Sequence, residues 1–278
     1  MILALKKQVL LALIFTVLSS ISLNAQTYQE DSRTIDSCEL FATKKLMNDL
    51  NTVNFERKIY KGVISIPYRL LVPKKVLPKK KYPLVITFHN SSRIGNDNES
   101  QLEPLARIWI RNDIYKDFNC FVIAPQFNRR STEYVRGADG ITTSLPSDDV
   151  REILKLLEEA EKKYPIDRHR IYLVGYSMGA STAQDLFSME PDKFAALVSI
   201  AGVPSFTNIR QLKSKKIWLI HGKKDADNPY IGSERLYRML AGNKRLLFTS
   251  YGNLDHNNIM IPYLLNEDIP KWLFETDK

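Results

Sequence analysis

The chain has 278 residues, of which 44% are apolar and 26% are charged, and its formal net charge is +9. This balance is typical of a globular protein and excludes a disordered tail, a collagen-like fibre and a multi-pass membrane protein. Two cysteines are too few for a disulfide scaffold or a structural zinc cluster. The lysines come as scattered pairs, which indicates a solvated surface rather than a nucleic-acid-binding patch.

The beginning of the chain has the pattern of a secretory signal peptide. Two lysines precede an apolar run from Val9 to Leu18, and small residues follow. The run is shorter than the roughly 20 residues that a membrane-spanning helix needs. We therefore expect cleavage of residues 1–25, a secreted or periplasmic protein and no stable membrane anchor, with an uncleaved anchor as the alternative. Export would allow a disulfide between Cys38 and Cys120, and the sequence leaves this pairing open.

The remaining chain predicts one domain behind a short leader. Residues 26–54 are polar and predict an irregular leader with a single helix around Cys38 to Leu50. Residues 55–278 contain no linker or internal repeat and predict a single domain. Two extended stretches, Glu56 to Ser65 and Pro67 to Val72, predict an antiparallel hairpin at a sheet edge, where proline is tolerated.

Six short apolar runs without alternation follow this hairpin. Runs of this kind are typical of strands that are buried on both faces of a parallel sheet. They are Leu84 to Phe88, Phe121 to Ala124, Ile171 to Val174, Leu197 to Ala201, Ile217 to Ile220 and Leu246 to Thr249. Helical segments lie between most of them, and the clearest helix is predicted from Asp148 to Tyr164. The pattern predicts an α/β fold with a mostly parallel central sheet and helices on both faces.

The most informative segment joins an apolar strand to a helical stretch through Gly175-Tyr-Ser177-Met-Gly179. A serine at a sharp strand-to-helix turn is held in a strained backbone that exposes its hydroxyl group. The flanking glycines avoid a collision between a Cβ atom and the neighbouring strand or helix. The helix N-terminus offers backbone N–H groups to a developing oxyanion. We therefore expect Ser177 to be a catalytic nucleophile, with an ordinary glycine-flanked turn as the alternative.

A nucleophilic serine needs a base, and the base needs an orienting carboxylate. After this type of turn the carboxylate precedes the histidine in the chain. His256, in the polar loop after the last strand, is therefore the expected base. Asp225, which follows the fifth apolar run, is the expected acid, and Asp227 is the alternative. We expect His221 to pack in the core and Asp255 to brace the loop beside the base.

Taken together, these segments resemble the α/β-hydrolase superfamily. They are more closely similar to secreted esterases related to feruloyl and acetylxylan esterases, to polyhydroxybutyrate depolymerases and to peptidases of prolyl-oligopeptidase type. The matching segments, spread over about residues 56–275, are Tyr82 to His89, Gly95 to Asn98, Phe121 to Gln126, Tyr164 to Gly179, Trp218 to Asp225, His256-Asn257 and Trp272 to Phe274. The resemblance implies a single-domain α/β-hydrolase fold, a catalytic triad of Ser177, Asp225 and His256, and no metal or other cofactor.

The resemblance also implies an oxyanion hole, with the backbone N–H of Met178 as one donor. At the other donor the similar proteins usually have His-Gly, whereas this chain has His89-Asn90-Ser91. Glycine permits a backbone twist that aims the N–H into the pocket, and asparagine tolerates left-handed geometry better than most residues. We therefore expect Asn90 or Ser91 to supply the second N–H.

A polar loop from Phe127 to Pro146 follows the second parallel strand, on the side where α/β proteins bind ligands. We expect Tyr134 in this loop, together with Tyr176 and His89, to contact the substrate. The predicted function is that of a secreted serine esterase that hydrolyses small-molecule or polysaccharide-linked esters through an acyl-enzyme, with no nucleic-acid partner. The alternatives are a peptidase of prolyl-oligopeptidase type and a catalytically silent carbohydrate-binding homologue.

Overall fold

The computed structural model describes residues 26–275, and the predicted signal peptide lies outside this range. The strands are β1 (Thr27–Asp31), β2 (Phe55–Lys61), β3 (Ser65–Leu71), β4 (Tyr82–Phe88), β5 (Phe121–Pro125), β6 (Thr132–Arg136), β7 (Thr142–Pro146), β8 (Ile166–Tyr176), β9 (Ala196–Ile200), β10 (Lys216–Gly222) and β11 (Leu246–Tyr251). Within the described range, nine of them form one sheet in the order β1-β11-β10-β9-β8-β4-β5-β3-β2, and β6 pairs with β7.

The helices connect these strands and cover the sheet. They are α1 (Ser37–Asn48), α2 (Pro104–Arg107), α3 (Asn112–Asp117), α4 (Asp148–Lys163), α5 (Met178–Met189), α6 (Ile209–Leu212), α7 (Tyr230–Met239), α8 (Ile261–Leu264) and α9 (Asp268–Phe274). Short 3₁₀ turns lie at Ser91–Arg93 and Ile108–Ile110. Between residues 26 and 275, no helix has the length and apolar character needed to cross a membrane.

The predicted fold class is confirmed. All six apolar runs are strands, and they pair in parallel from β5 through β4, β8, β9 and β10 to β11. The predicted N-terminal hairpin is present as β2 and β3, and it joins the sheet through antiparallel pairing of β3 with β5. The predicted helix after Ser147 is α4, which ends at Lys163, before Tyr164 and Pro165.

Burial on both faces explains why these strands lack alternation. Leu84 of β4 packs in a cluster with Ile153 of α4 and Leu186 of α5. Val85, the next residue, packs on the opposite face in a cluster with Met47 of α1. Because neighbouring residues of a strand point to opposite faces, both faces need apolar side chains when helices cover both.

The prediction of an irregular leader is wrong for the first strand. β1 pairs in parallel with β11, with Thr27 opposite Leu247 and Asp31 opposite Tyr251. Its side chains are mostly exposed, so the strand leaves no apolar pattern in the sequence. Backbone hydrogen bonds, the packing of Tyr28 on Phe248 and an ion pair between Glu30 and Lys223 hold it in place. The expected leader helix is present as α1. Cys38 on this helix is exposed, Cys120 is buried, and both are free thiols.

The segment predicted to be a polar loop, Phe127 to Pro146, contains the hairpin of β6 and β7. Asp185, a buried residue of α5, fixes this hairpin through one side chain from each strand. The hydroxyl groups of Thr132 and Ser144 each donate to one of its carboxylate oxygens at 2.7 Å. The hairpin is therefore tied to the same helix that begins at the predicted nucleophile.

Substitution of this anchor tests the attachment of the hairpin. Asp185→Ala would leave the buried Ser144 hydroxyl without its acceptor and the Thr132 hydroxyl with the carbonyl of Leu145 at 3.1 Å, and we expect the free energy of unfolding to fall by about 1–3 kcal/mol. Limited proteolysis should also cut the segment 132–146 faster than in the wild type. Asp192→Ala is the control, because the Asp192 side chain is 98% exposed and should change neither measurement by much. Equal unfolding energies for Asp185→Ala and the wild type would contradict this prediction.

Candidate active site

The predicted nucleophile lies at the junction of β8 and α5. Ser177 has φ 57° and ψ −124°, which is a strained conformation for a residue with a side chain. Its backbone N–H donates to the carbonyl of Ile200 in β9 at 2.9 Å. The neighbouring strand therefore helps to hold the turn, and the Ser177 side chain lines an open pocket at the carboxyl end of the parallel strands.

The two glycines that flank this turn are required by close packing. A Cβ atom on Gly175 would lie 2.2 Å from the carbonyl oxygen of Gly179. A Cβ atom on Gly179 would lie 2.1 Å from the carbonyl oxygen of Phe88, the last residue of β4. Any larger residue would push the start of α5 away from β4, so the pattern of the turn follows from backbone contact.

Two hydrogen bonds join the three residues predicted to form the triad. His256 Nε2 lies 2.8 Å from Ser177 Oγ, and His256 Nδ1 lies 2.7 Å from Asp225 Oδ2. The Nδ1 atom faces a carboxylate, so it carries the ring proton, and Nε2 accepts a hydrogen bond from the serine hydroxyl. This is the geometry that a serine nucleophile, a general base and an orienting acid require.

The environment of Asp225 stabilises its charged form. Burial alone would raise the pKa of this carboxyl group, but hydrogen bonds from His221, His256 and the Asn228 backbone hold the pKa below its usual value. Its second oxygen also accepts the backbone N–H of Asp227 at 3.0 Å. Asp227, the alternative acid, thus supports the carboxylate through its backbone, while its own side chain lines the pocket.

His221 has a contact with the candidate triad that the sequence reasoning missed. The expectation of a core position is met, since the side chain is fully buried. However, its Nε2 lies 2.8 Å from the carbonyl oxygen of Asn228 and 3.2 Å from Asp225 Oδ2, and its Nδ1 lies 2.7 Å from Ser233 Oγ. The signal that could have predicted this contact is the position of His221 at the end of a strand, four residues before Asp225.

The other residues near the base hold its loop in place. Asp255 accepts the backbone N–H groups of Asn257 and Asn258 at 2.8 and 3.2 Å, as expected for a loop brace. The hydroxyl of Tyr176 donates to the carbonyl of His256 at 2.6 Å, and the two rings lie 5.2 Å apart. Tyr176 therefore lines the pocket, as expected of a substrate contact, but it also supports the histidine.

The sequence left Asn90 and Ser91 as alternatives for the second oxyanion N–H, and the structure gives the N–H of Asn90 another partner. Asn90 has φ −75° and ψ 172°, so it does not use left-handed geometry, and its backbone N–H points to the carboxyl group of Glu103 at 3.3 Å. The N–H groups of Met178 and Ser91 have no acceptor among the described residues, and both residues line the pocket with Ser177. The geometry therefore favours Ser91 over Asn90 as the partner of Met178.

The expectation that His89 contacts the substrate is not supported, because this side chain is 1% exposed and lies outside the pocket lining. Its Nδ1 donates to the carbonyl of Asn90 at 2.8 Å, and its Nε2 accepts the N–H of Phe127 at 3.0 Å. Burial lowers its pKa to about 4, which is consistent with this neutral role. His89 thus braces the loop after β4.

The pocket has a volume of about 450 Å³ and is lined mainly by polar side chains. Tyr134 lies in its wall, as expected, and its hydroxyl is 3.0 Å from Ser181 Oγ. The guanidinium of Arg130 lies over the Tyr134 ring at 5.0 Å. The other polar lining residues, apart from Ser91, Tyr176 and Ser177, are Asn90, Ser92, Asp227, Asn228, His256 and Asn257.

Comparisons with known proteins agree with this architecture. The structure is similar to a thermostable esterase, with a TM-score of 0.72 and 29% identity over 81% of this chain and 63% of that one. The chain has the α/β-hydrolase fold. A ferulic acid esterase from Anaeromyces mucronatus is similar in fold at 15% identity, with a TM-score of 0.56 over 77% of this chain and 89% of the esterase. The Pyrococcus horikoshii acylaminoacyl peptidase matches at 16% identity, with a TM-score of 0.56 over 84% and 44% of the two chains.

Sequence comparisons lead to the same group of proteins. The model of the prolyl oligopeptidase family matches residues 137–213 of this chain, a segment that includes the turn at the predicted nucleophile, Ser177. A bifunctional acetylxylan esterase/xylanase from Neocallimastix patriciarum is 24% identical over 155 residues, which are 55% of this chain and 20% of the fungal protein. The predicted resemblance is therefore confirmed. The named relatives are esterases and peptidases, and they support the prediction of a serine hydrolase.

The packing of the nucleophile turn predicts an unusual effect of alanine. Alanine normally stabilises the interior of a helix relative to glycine by up to about 1 kcal/mol. Gly179→Ala should instead lower the free energy of unfolding by at least about 2 kcal/mol, because the new Cβ collides with the β4 backbone. The control is Gly252→Ala, where the nearest atom to the new Cβ lies 3.8 Å away. Urea unfolding of both variants measures the difference, and a Gly179→Ala protein as stable as the wild type would contradict the argument.

The buried Glu103 predicts a dependence of stability on pH. Burial raises its pKa from 4.5 to about 8, against the opposing influence of Arg93 and of the Asn90 N–H. The folded protein holds this proton more tightly than the unfolded chain does. The contribution to stability is therefore full below pH 4.5 and is lost as the pH rises through about 8. In Glu103→Gln, urea unfolding should show a smaller loss of stability between about pH 5 and about pH 9 than in the wild type. If the free energy of unfolding falls equally with pH in Glu103→Gln and in the wild type, the prediction is wrong.

Proposed function

We propose that this α/β-hydrolase is a serine esterase that cleaves carboxylic esters through an acyl-enzyme. The observation that carries this proposal is the chain of two hydrogen bonds from Asp225 through His256 to Ser177, at 2.7 and 2.8 Å. Two further observations support the same reaction: the strained backbone at the serine, and the N–H groups of Met178 and Ser91, which have no acceptor within residues 26–275.

The first half of the reaction forms the acyl-enzyme. Ser177 Oγ attacks the ester carbonyl carbon while His256 Nε2 takes the hydroxyl proton. Asp225 stabilises the imidazolium that forms. The carbonyl oxygen becomes an oxyanion, to which the N–H groups of Met178 and Ser91 donate. When the carbon–oxygen bond to the alcohol breaks, the leaving alcohol takes the proton from His256 Nε2.

The second half releases the acid. A water molecule gives a proton to His256 Nε2 and attacks the acyl carbon, and the same N–H groups stabilise the second oxyanion. The bond to Ser177 Oγ then breaks, the serine oxygen recovers its proton from His256, and the carboxylic acid leaves. The residues named here supply each proton transfer, and the reaction consumes one water per ester.

The polar pocket supports a hydroxylated substrate, such as an acetyl or feruloyl ester on a polysaccharide. Tyr134, Arg130 and Asp227 offer hydrogen-bond donors and acceptors close to the nucleophile. A sugar hydroxyl group pairs with such side chains, whereas a long alkyl chain would leave them buried without partners. The predicted signal peptide would carry the enzyme to a secreted or periplasmic location, where polysaccharide-linked esters are found.

Peptide hydrolysis is the second candidate function. The match to the prolyl oligopeptidase family covers residues 137–213, and an acylaminoacyl peptidase has a similar fold. The same three residues would perform either reaction, since ester and amide cleavage share the acyl-enzyme. Only the substrate distinguishes the two activities.

The proposed chemistry is tested by covalent labelling and by hydrolysis. A fluorophosphonate probe should form an adduct on Ser177 in the folded wild type. Ser177→Ala should lose the adduct and lower kcat for 4-nitrophenyl acetate by roughly 10⁴- to 10⁶-fold. Ser214→Ala, at an exposed position, is the control and should keep both properties. A folded wild type with neither an adduct nor ester turnover would refute the proposal and favour a catalytically silent binding protein.

A panel of substrates tests the polar pocket. We expect a higher kcat/KM for acetylated or feruloylated xylo-oligosaccharides than for 4-nitrophenyl octanoate, because the wall at Tyr134 and Asn228 is polar. Cleavage of aminoacyl-proline anilides without cleavage of acetyl esters would establish the peptidase instead. A preference for the octanoate would contradict the substrate class while leaving the triad intact.

A further inference from the structure

A buried acidic residue lies behind the loop that carries Ser91. Glu103 precedes α2 and is 3% exposed. Its carboxyl group reaches the loop after β4 and accepts two hydrogen bonds from Asn90, the backbone N–H at 3.3 Å and the side-chain Nδ2 at 2.5 Å. The positive charge of Arg93 opposes the rise in the pKa of Glu103, but no ion pair joins the two side chains among residues 26–275. Burying this group is costly, so its contacts with one residue of the active-site loop call for an explanation.

Asn90 is fixed at its other polar atoms as well. Its carbonyl oxygen accepts from His89 Nδ1 at 2.8 Å and from the Arg93 N–H at 3.1 Å. Its side-chain oxygen accepts the N–H and the hydroxyl of Ser92 at 2.8 and 2.7 Å. Every polar atom of Asn90 is thus engaged, and Glu103 provides the only acceptor for its two nitrogen atoms within the described chain.

The fixed orientation of Asn90 passes directly to Ser91. The Asn90 carbonyl and the Ser91 N–H belong to the same peptide group, which is planar and trans. Because the carbonyl is held by His89 and Arg93, the N–H, which lies in the same plane and points the opposite way, has a defined direction. Ser91 lines the pocket with Ser177, and its N–H has no acceptor among the described residues.

We propose that Glu103 is a positioning residue of the oxyanion hole, which orients the Asn90–Ser91 peptide so that the Ser91 N–H meets the developing oxyanion. The inference rests on the proposed serine esterase reaction. Glu103 does not touch the substrate and acts through Asn90. In either protonation state its carboxyl oxygens keep lone pairs that can accept hydrogen bonds, so the contact persists across neutral pH.

The expected kinetic effect follows from this role. Removal of a complete oxyanion donor costs about 10²–10³ in kcat. Glu103→Ala leaves the Ser91 N–H in place but frees its loop, so kcat for 4-nitrophenyl acetate should fall by roughly 10- to 100-fold. KM should change by less than about threefold, because the donor acts mainly on the transition state. The Ki of a trifluoromethyl ketone, which forms a tetrahedral oxyanion on the serine, should rise by a factor similar to the loss in kcat.

Glu152→Ala is the matched control. Glu152 is also a buried glutamate that accepts a backbone N–H, from Val63 at 3.1 Å, but it lies outside the pocket lining. Glu152→Ala should lower the free energy of unfolding without a comparable change in the Ki of the ketone. The inference is overturned if folded Glu103→Ala keeps kcat and Ki within about twofold of the wild type, or if Glu152→Ala changes both as much.

A double-mutant cycle keeps the test decisive if Glu103→Ala does not fold. Glu103→Gln replaces one of the two acceptor oxygens with an NH2 donor, and Asn90→Ala removes the side-chain donor, so each should raise the Ki of the ketone. Together they should raise it by less than the product of the two effects, because both weaken the same contact. Independent effects would overturn the inference. Labelling of the wild type at Ser177 separates the two proposals. If the wild type forms no adduct and hydrolyses no ester, the esterase proposal fails. If the wild type reacts but the mutant cycle shows no coupling, only the role of Glu103 is refuted.

Discussion

The close approach of two backbones at Gly179 determines the geometry of the whole site. The first turn of α5 lies against the last residue of β4 with no room for a Cβ atom between them. This contact fixes the helix relative to the sheet, and the chain reaches the helix from β8 through a single residue, Ser177, in a strained conformation. Packing of α5 on the sheet compensates for that strain. The same contact sets the distance between the N–H of Met178 and the loop that follows β4.

The parallel sheet explains how residues far apart in the chain meet at this point. Asp225 follows β10, His256 follows β11 and Asn90 follows β4, so all three lie in loops at the carboxyl ends of parallel strands of one sheet. The loop carrying His256 is held by Tyr176, and the carboxylate of Asp225 is held by His221 and the Asn228 backbone. These supporting contacts allow loop residues to act with the precision that a catalytic arrangement requires.

The sequence was sufficient to predict features that depend on local pattern. Unbroken apolar runs predicted the central strands, and the pattern around Ser177 predicted a strand, a tight turn and a helix. The positions of Asp225 and His256 followed from chain order, and the structure brings both within hydrogen-bond distance of their expected partners. Features that depend on distant partners were not predictable. The N–H of Asn90 is occupied by Glu103, thirteen residues away, and no local signal connects the two. The pairing of β1 and the fold of the β6–β7 hairpin also depend on partners elsewhere in the sheet or on α5.

The position of β1 has a consequence for the behaviour of the chain during folding. The strand nearest the N-terminus adds to the sheet beside the last strand, β11, so more than two hundred residues separate the paired segments. β1 is made before β11 and cannot take this place until β11 has been made and has joined β10. Until β1 pairs with it, the unpaired N–H and C=O groups at the free edge of β11 can join a strand of another molecule. The mostly exposed side chains of β1 add little burial to oppose its release later. This short polar strand therefore protects the folded protein against aggregation at that edge, and it does so late in folding.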